Sequence, residues 1–423
     1  MPEEPPGIRL DRSDAPPEPA ENSGRYTEVV ETWDPDPRLL GSRRSRTGFR
    51  FTAYVPDEIG EWEPRIGASL AALIAEAERL CAALNHDPPT LGSMDALARQ
   101  LLRAEAVASS RIEGLIMSHR RLALAQAAAG VDSLADQIVG NIAAMEEAVT
   151  TAGTLERITT ADILEIHRTL LKDTRDAHIA GVVRERQNWI GGEASSPASA
   201  DFVPPPAREV CRLLDDLCRF LNRTDLTPAT QAAIAHAQFE TIHPFADGNG
   251  RVGRALIQLV LRRRGLAPEF VPPISLAFAA DAQRYVKGLT VYRYGDLEDW
   301  LEVFADALGR AAERSRSFAA DVVELQHDWI QKAGRPRRGS SAQRLIEMLP
   351  GRPVLGTDTA AQMLEVSHEA ARQAMNSLEA AGVVRNRAAG KGRRIWEAIG
   401  LFDLLDRFER ELGDGERTPR PSH

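Results

Sequence analysis

The sequence predicts a mainly α-helical protein, and three observations carry that prediction. Apolar residues recur at helical spacing through most of the chain from Ile66 onward. A single internal stretch, 184–206, reads as extended and Gly/Pro-punctuated, the pattern of a β-hairpin or flap. Residues 341–410 form a separate small unit of short helices followed by a basic hairpin.

The elements follow in order. Residues 1–48 are rich in proline and charge and poor in large apolar side chains, so this segment reads as a disordered arm that cannot offset its chain entropy by burial. Phe51, Tyr54 and Val55 begin ordered packing. Ile66–Leu84 carries Leu70, Leu73, Ile74, Ala77, Leu80, Cys81 and Leu84 at helical spacing, and Asp87-Pro-Pro breaks the pattern. Ser93–Glu113 is a second helix, with Gly114 placed to close it. Helices are then expected over Val131–Thr151, Thr160–Leu171 with Thr160 as its cap, Pro206–Leu221, Pro228–Ile242, Val252–Arg264, Asp281–Val291 and Leu297–Gln331. The expected organisation is an arm over 1–48, an N-terminal helical region over 49–130, a core over 131–330, a basic linker over 331–340 and the small unit over 341–410.

Composition narrows the function classes. The 423 residues are 43% hydrophobic and 27% charged, with a formal net charge of −9. That is an ordinary globular composition, and its sign gives no support for general binding to nucleic acid or an anionic membrane. No apolar run reaches the ~18 residues a spanning helix needs, and the N-terminus lacks an apolar leader core. Cys81, Cys211 and Cys218 are the only cysteines. Cys211 and Cys218 lie about 10 Å apart along one helix, too far for a disulfide. A reducing compartment fits this usage, and the expected location is cytoplasmic, without a membrane partner.

The chemistry concentrates in His243-Pro-Phe-Ala-Asp-Gly-Asn-Gly-Arg-Val-Gly-Arg254. An apolar helix delivers His243, and Pro244 disfavours its continuation. Gly248 and Gly250 let backbone N–H groups approach an anion, and the helix that follows favours negative charge at its start. Arg251 and Arg254 are neighbours on that helix and offer two guanidinium forks to a polyphosphate. Asp247 supplies a hard oxygen for Mg2+, Asn249 an uncharged donor, and His243 a base near neutral pH. The combination points to phosphoryl or nucleotidyl transfer. Gly248-Asn-Gly-Arg-Val-Gly253 also matches the dinucleotide-binding GxGxxG string, but a helix rather than a strand precedes it, and no βαβ pattern follows. The loop lacks the Gly-Lys-Ser/Thr of a Walker A sequence.

This motif resembles, without departure, the HPFx[DE]GNGRxxR signature of the Fic (filamentation induced by cAMP) family. Ile166-His-Arg-Thr-Leu-Leu171, Arg184, Trp189-Ile190-Gly191-Gly192 and Phe202-Val-Pro-Pro-Pro206 add to the resemblance, which covers about 51–310. It implies a Fic-type helical core with a β-hairpin flap and a protein adenylyltransferase that moves AMP from ATP to a Tyr, Ser or Thr hydroxyl. His243 would be the base and Asp247 the Mg2+ ligand. Gly248, Asn249, Gly250 and Gly253 would line the phosphates, and Arg251 and Arg254 would hold their far end. Ile190, Gly191 and Gly192 of the flap would align the target segment and border the nucleotide, with Tyr285 a further candidate for the adenosine pocket. A homodimer is implied by resemblance only.

Ser109-Ser-Arg-Ile-Glu113-Gly114 is on its own a helix end with a surface glutamate. It also resembles the family's inhibitory pattern, [ST]xxxE[GN]. The resemblance implies that Glu113, on one helix face with Ser109, pairs with Arg254 and so competes with the γ-phosphate.

In the C-terminal unit, helices over Ser341–Leu349, Thr357–Leu364 and Ser367–Ala381 precede two extended runs, Val383–Arg385 and Arg394–Trp396. Helix, helix–turn–helix and a two-stranded wing is a winged-helix pattern. Arg385, Arg387, Lys391, Arg393 and Arg394 make the wing basic, which suggests DNA contact, while Glu369 and Glu379 on the third helix favour protein docking. An alternative function follows: a DNA-binding regulator whose core senses nucleotide but transfers little.

Overall fold

The computed structural model describes residues 26–34, 48–86, 94–128, 132–192, 196–388 and 394–413. Two strands come first, β1 (Tyr26–Trp33) and β2 (Phe49–Pro56). Five helices follow: α1 (Ala68–His86), α2 (Met94–Ile112), α3 (His119–Ala128), α4 (Ser133–Ala152) and α5 (Thr160–Leu171). After the extended stretch come α6 (Ala207–Leu221), α7 (Pro228–Ile242), α8 (Asn249–Arg263), α9 (Ile274–Ala280), α10 (Ala282–Arg293) and α11 (Leu297–Lys332). The C-terminal part holds α12 (Ser341–Met348), β3 (Val354–Gly356), α13 (Thr357–Leu364), α14 (His368–Ala380), β4 (Val384–Ala388), β5 (Arg394–Ala398) and α15 (Leu401–Gly413). The expected mainly α architecture is what forms. No helix among the described residues is long and apolar enough to cross a membrane.

The chain divides into two compact units. The first gathers residues 1–75, 143–264 and 282–306. Its centre is α7, where every residue from Ala229 to Ile242 is buried. Such a helix cannot be amphipathic, and its mean composition of Ala, Ile and Phe matches burial on all sides. Pro228 occupies its first turn, and Thr227 caps it by accepting from the Thr230 N–H. α6, α8 and α10 pack around α7, and α5 packs on α8. The α7–α8 approach is close because residue 253 is glycine: a Cβ there would stand 2.7 Å from Glu240 Oε1. α5 begins one residue after its true cap. Thr159 rather than Thr160 precedes the helix, and Asp162 Oδ2 accepts from the Thr159 N–H at 2.8 Å.

Two features depart from the sequence reading. The supposed arm contains β1, which pairs antiparallel with β2 from Tyr26↔Pro56 to Trp33↔Phe49. Composition averaged over the arm hides this eight-residue run of aromatic and β-branched side chains. Residues 1–25 and 35–47 of the arm lie outside the described residues. The flap, in turn, is less than a regular hairpin: one antiparallel bridge, Ile190↔Phe202, joins its arms. Pro204, Pro205 and Pro206 have no N–H to extend a ladder, and a 3-10 turn at Pro197–Ser199 bends the second arm.

The second unit gathers residues 76–142, 265–281 and 307–423. α2 packs against α9, whose first turn is capped by a distant carboxylate. Glu105, fully buried, accepts from Ser275 N at 2.8 Å and Ser275 Oγ at 2.6 Å. β3, β5 and β4 form a three-stranded antiparallel sheet in that order, with α12, α13 and α14 packed together beside it. β3 was not foreseen in the two-stranded wing; it is too short to show periodicity. Lys391 and Arg393 lie outside the described residues.

Asp216 on α6 fixes the connection after β2. It is buried and accepts from Ile59 N at 2.6 Å and Gly60 N at 3.0 Å, with Arg219 at 2.9 Å. We predict that Asp216→Ala lowers unfolding stability by about 1–3 kcal/mol by leaving those amides buried without acceptors. Urea unfolding tests this, and an unchanged midpoint would show that the turn repacks at no cost.

Candidate functional site

The site begins where α7 stops. His243 adopts a left-handed conformation, φ 49° and ψ 61°, while its N–H still donates to Phe239 O at 2.9 Å. A non-glycine residue held there costs on the order of 1–3 kcal/mol, so neighbouring groups must enforce it. Arg184 does so. Its Nε donates to His243 O at 2.9 Å, and its Nη2 donates to Pro205 O at 2.6 Å. Arg184 N also donates to Pro244 O at 2.9 Å. Asn188 Nδ2 reaches His243 O at 3.2 Å and Phe245 O at 3.0 Å. One buried guanidinium and one amide thus tie both flap arms to the histidine turn.

The imidazole is 18% exposed, with Nδ1 3.9 Å from Glu240 Oε2. Burial, reinforced by the positive charges of Arg293 and Arg184, holds its pKa down at about 3. His243 is therefore neutral across the physiological range and able to accept a proton.

The loop beyond is braced by side chains. Asn249 Oδ1 accepts from Phe245 N at 2.8 Å, and its Nδ2 donates to Phe245 O at 2.9 Å. In this structure the Asn249 side chain clamps Phe245, so it is the backbone here that is placed to meet an anion. His167 holds the other side. Gly181 N donates to its Nδ1 at 3.0 Å, so Nε2 carries the proton and donates to Asp247 O at 3.0 Å. Its ring stacks on Phe245, with centroids 3.7 Å apart. Burial lowers the His167 pKa to about 4, which keeps the ring neutral, and its two hydrogen bonds select the tautomer. The sequence offered His167 only as part of a longer resemblance, and no local signal marked it as a brace.

Gly248 takes φ 81° at the start of α8, and a Cβ there would come within 2.9 Å of Leu170. Its N–H donates to Asp247 Oδ1 at 2.7 Å. The Asp247 side chain is otherwise open, at 57% exposure. Arg251 is the opposite: 4% exposed, with Nη2 3.4 Å from Asp247 Oδ2. Its Nε and Nη1 have no hydrogen-bond partner among the described residues. A buried guanidinium with unmet donors, beside an exposed carboxylate and a helix start, fits a polyphosphate carrying a hard cation. Arg254, three residues on, is buried at 1% exposure.

The flap residues have structural demands of their own. Gly191 and Gly192 both take positive φ, and a Cβ at Gly192 would stand 2.3 Å from Ser199 O. A cleft of about 560 Å3 runs beside the flap, lined by Val183, Glu185, Gln187, Trp189 and Ala246 among others. Tyr285 is placed differently from the sequence expectation of an adenosine contact. It is 3% exposed, its hydroxyl lies 2.8 Å from His236 Nε2, and its ring stacks on His236 and tilts against Trp300. It packs the core.

In the second unit, Ser109 is fully buried near the end of α2. Leu115 N donates to Ser110 O at 3.0 Å and Gly114 N to Arg111 O at 3.0 Å, with Gly114 at φ 78°. That is the Schellman closure the glycine predicted, and it sets Glu113 at the helix end.

The fold and this loop define a mainly helical protein built around a glycine- and arginine-rich turn between two buried helices. Residues 157–261 match the model of the Fic/DOC family, and residues 71–150 match that of the Fic/DOC family N-terminal region. It is 32% identical over 150 residues to protein adenylyltransferase fic-1 of Caenorhabditis elegans, spanning 36% of this chain and 27% of that protein. It is 32% identical over 152 residues to protein adenylyltransferase Fic of Drosophila melanogaster, spanning 35% of this chain and 28% of that protein. The match thus spans about a quarter of these relatives' length. A Fic family protein from Desulfovibrio desulfuricans G20 shares the fold, with a TM-score of 0.50 and 22% identity over 80% of this chain and 99% of that one.

The three low-pKa imidazoles make stability pH-dependent. His236, fully buried, is held at about 3 by burial and the charge of Arg254, alongside His243 at about 3 and His167 at about 4. The unfolded chain takes up protons below about pH 6.5 that the folded chain does not, so stability falls as pH falls. From pH 6.5 to 5, above the carboxylate range, each imidazole should remove up to about 2 kcal/mol. Equal urea midpoints at pH 7 and pH 5 would refute this.

Proposed function

We propose that the protein is an adenylyltransferase that moves AMP from ATP to a hydroxyl of a target protein. The observation that carries this reading is Arg251, buried with two donor groups unmet, beside an exposed Asp247 and a neutral His243. A fixed cationic fork of this kind is matched by a polyphosphate, and the sequence relatives, both protein adenylyltransferases by name, point the same way.

On this reading His243 takes the proton from a Tyr, Ser or Thr hydroxyl. The oxygen attacks the α-phosphate, a new P–O bond forms, the bond to the bridging oxygen breaks, and diphosphate leaves. The amides of Gly248–Gly250 at the start of α8 offset charge on the α-phosphate, while Arg251 and Arg254 hold the β/γ end and Gly253 lets α8 sit close to α7. Asp247 would hold Mg2+, which when bound neutralises phosphate charge. Ile190–Gly192 and the cleft beside them present the acceptor as an extended segment, since a flap backbone pairs with peptide more readily than with a metabolite.

Glu113, on one helix face with Ser109, acts as a brake through Arg254, because one guanidinium does not serve a carboxylate and a γ-phosphate together. The remaining expectations, a cytoplasmic location and a homodimer, are carried with this proposal. The C-terminal unit is a winged-helix module that docks protein rather than DNA. Its wing arginine Arg387 donates to Glu397 Oε2 at 2.9 Å and Arg385 to Glu397 Oε1 at 3.1 Å, while Arg372 is held by Glu369 at 2.7 Å. Guanidiniums directed at carboxylates are poorly placed for phosphates, which disfavours the DNA-binding alternative.

The test uses ATP labelled at the α-phosphate and autoradiography of protein acceptors. Glu113→Gly should raise labelling about 5- to 150-fold, the usual range of a coupling between sites. In that background His243→Ala should lower it by about 100-fold or more. Undiminished labelling by the His243→Ala form would overturn the catalytic assignment.

A further inference from the structure

The flap is braced from behind by the strand that the sequence hid. Trp33, the last residue of β1, meets Trp189 edge-on, with ring centroids 5.4 Å apart and planes at 88°. Tyr54 of β2 donates its backbone N–H to Val203 O at 2.9 Å and packs on Phe202, centroids 5.5 Å apart. The Arg293 guanidinium covers Phe202 at 3.9 Å, and the Tyr54 hydroxyl donates to Arg293 O. Both flap arms therefore rest on one two-stranded sheet: the first through Trp189, the second through Phe202 and Val203. β1 itself is held in register by β2 and to α6 by Arg208–Glu31 at 2.6 Å.

Among the described residues the arms share one β-bridge, Ile190↔Phe202, and nearer their base Gln187 Nε2 donates to Pro204 O at 2.9 Å and Arg184 Nη2 to Pro205 O at 2.6 Å. Those bonds hold the base, whereas the outer part around Trp189–Gly192 has the one bridge, and so short a strand pairing is marginal in water without outside support. Trp189 also lines the cleft beside the flap, together with Ala246 of the His243 loop. The position of Trp189 thus sets both the flap edge and one wall of the space an acceptor segment would enter.

We propose that Trp33 is a positioning residue for the acceptor: through Trp189 it holds the flap edge in the geometry that aligns an extended polypeptide with His243. The β1–β2 sheet is then part of the acceptor-recognition apparatus, acting without touching the reacting atoms. The inference rests on the transferase reading for its functional half, whereas the bracing of the flap stands apart from it.

The experiment uses the full chain carrying Glu113→Gly, with and without Trp33→Ala or Trp33→Phe. Amide hydrogen exchange is followed over the flap, and AMP transfer is measured against increasing casein, an unfolded protein rich in hydroxyl side chains. Trp33→Ala should speed exchange at Trp189–Gly192 and Ala200–Val203 about tenfold and raise KM for casein about tenfold, the scale of one lost aromatic contact, while kcat changes less than about twofold. Exchange in α7 and α8 should stay as in the parent, which shows that the unit is folded, and Trp33→Phe should recover most of both effects. Unchanged flap exchange overturns the proposal, as does a fall in kcat at constant KM. If the parent transfers no AMP while Trp33→Ala still frees the flap amides, the transferase reading fails and the brace stands.

Discussion

The left-handed turn at His243 is the constraint around which the first unit is arranged. An imidazole that is to take a proton must project from the end of a buried helix, yet glycine, the residue that best tolerates this backbone, has no imidazole. The chain resolves the conflict by holding the turn from outside. Arg184 and Asn188 grip the His243 carbonyl, Asn249 clamps both polar groups of Phe245, and His167 holds the Asp247 carbonyl. Three separate segments hold His243, Phe245 and Asp247, so the geometry is prepared before any ligand arrives. Preorganisation of this kind is what lets a site act without reorganising during the reaction.

Much of this could be read from the chain, and what could not follows a pattern. The motif 243–254 was legible because its chemistry is local: a helix stop, positive-φ glycines and arginines at helical spacing. The helices were legible because apolar periodicity survives in a single sequence. Residue roles set by distant partners were not. Asn249 looks like a phosphate donor until Phe245 is seen to occupy it, and Tyr285 looks like a pocket residue until His236 and Trp300 enclose it. β1 was lost because its partner and its neighbours lie far along the chain, and its signal was diluted by proline on both sides.

Charge shows the same limit. The sum of arginines in the wing suggested phosphate, but the deciding residue is Glu397, which sits on the adjacent strand with its side chain fully buried. Glu397 stands opposite Arg385 and accepts diagonally from Arg387, so two of the wing's arginines are held in a cross-strand cluster. Likewise Gly114 announced a helix end and delivered it, because a Schellman closure needs only residues within one turn. The partner of Glu113 is a question of long-range geometry, to which a short string of residues has no access.

The low proton affinity of His243 follows from its surroundings and bears on how such a site would be used. Burial and the charges of Arg293 and Arg184 both disfavour the imidazolium, which keeps the base free but also makes it weak. A polyanion on Arg251 acts in the opposite direction, since negative charge nearby stabilises the protonated ring. On the proposed reaction, then, the donor would strengthen the base that its own transfer requires, while in its absence the neutral, weakly basic ring has little drive to deprotonate a hydroxyl. Anion recognition and base strength are thereby coupled through one electrostatic field, with the braced backbone of residues 243–249 holding both parties at fixed separation.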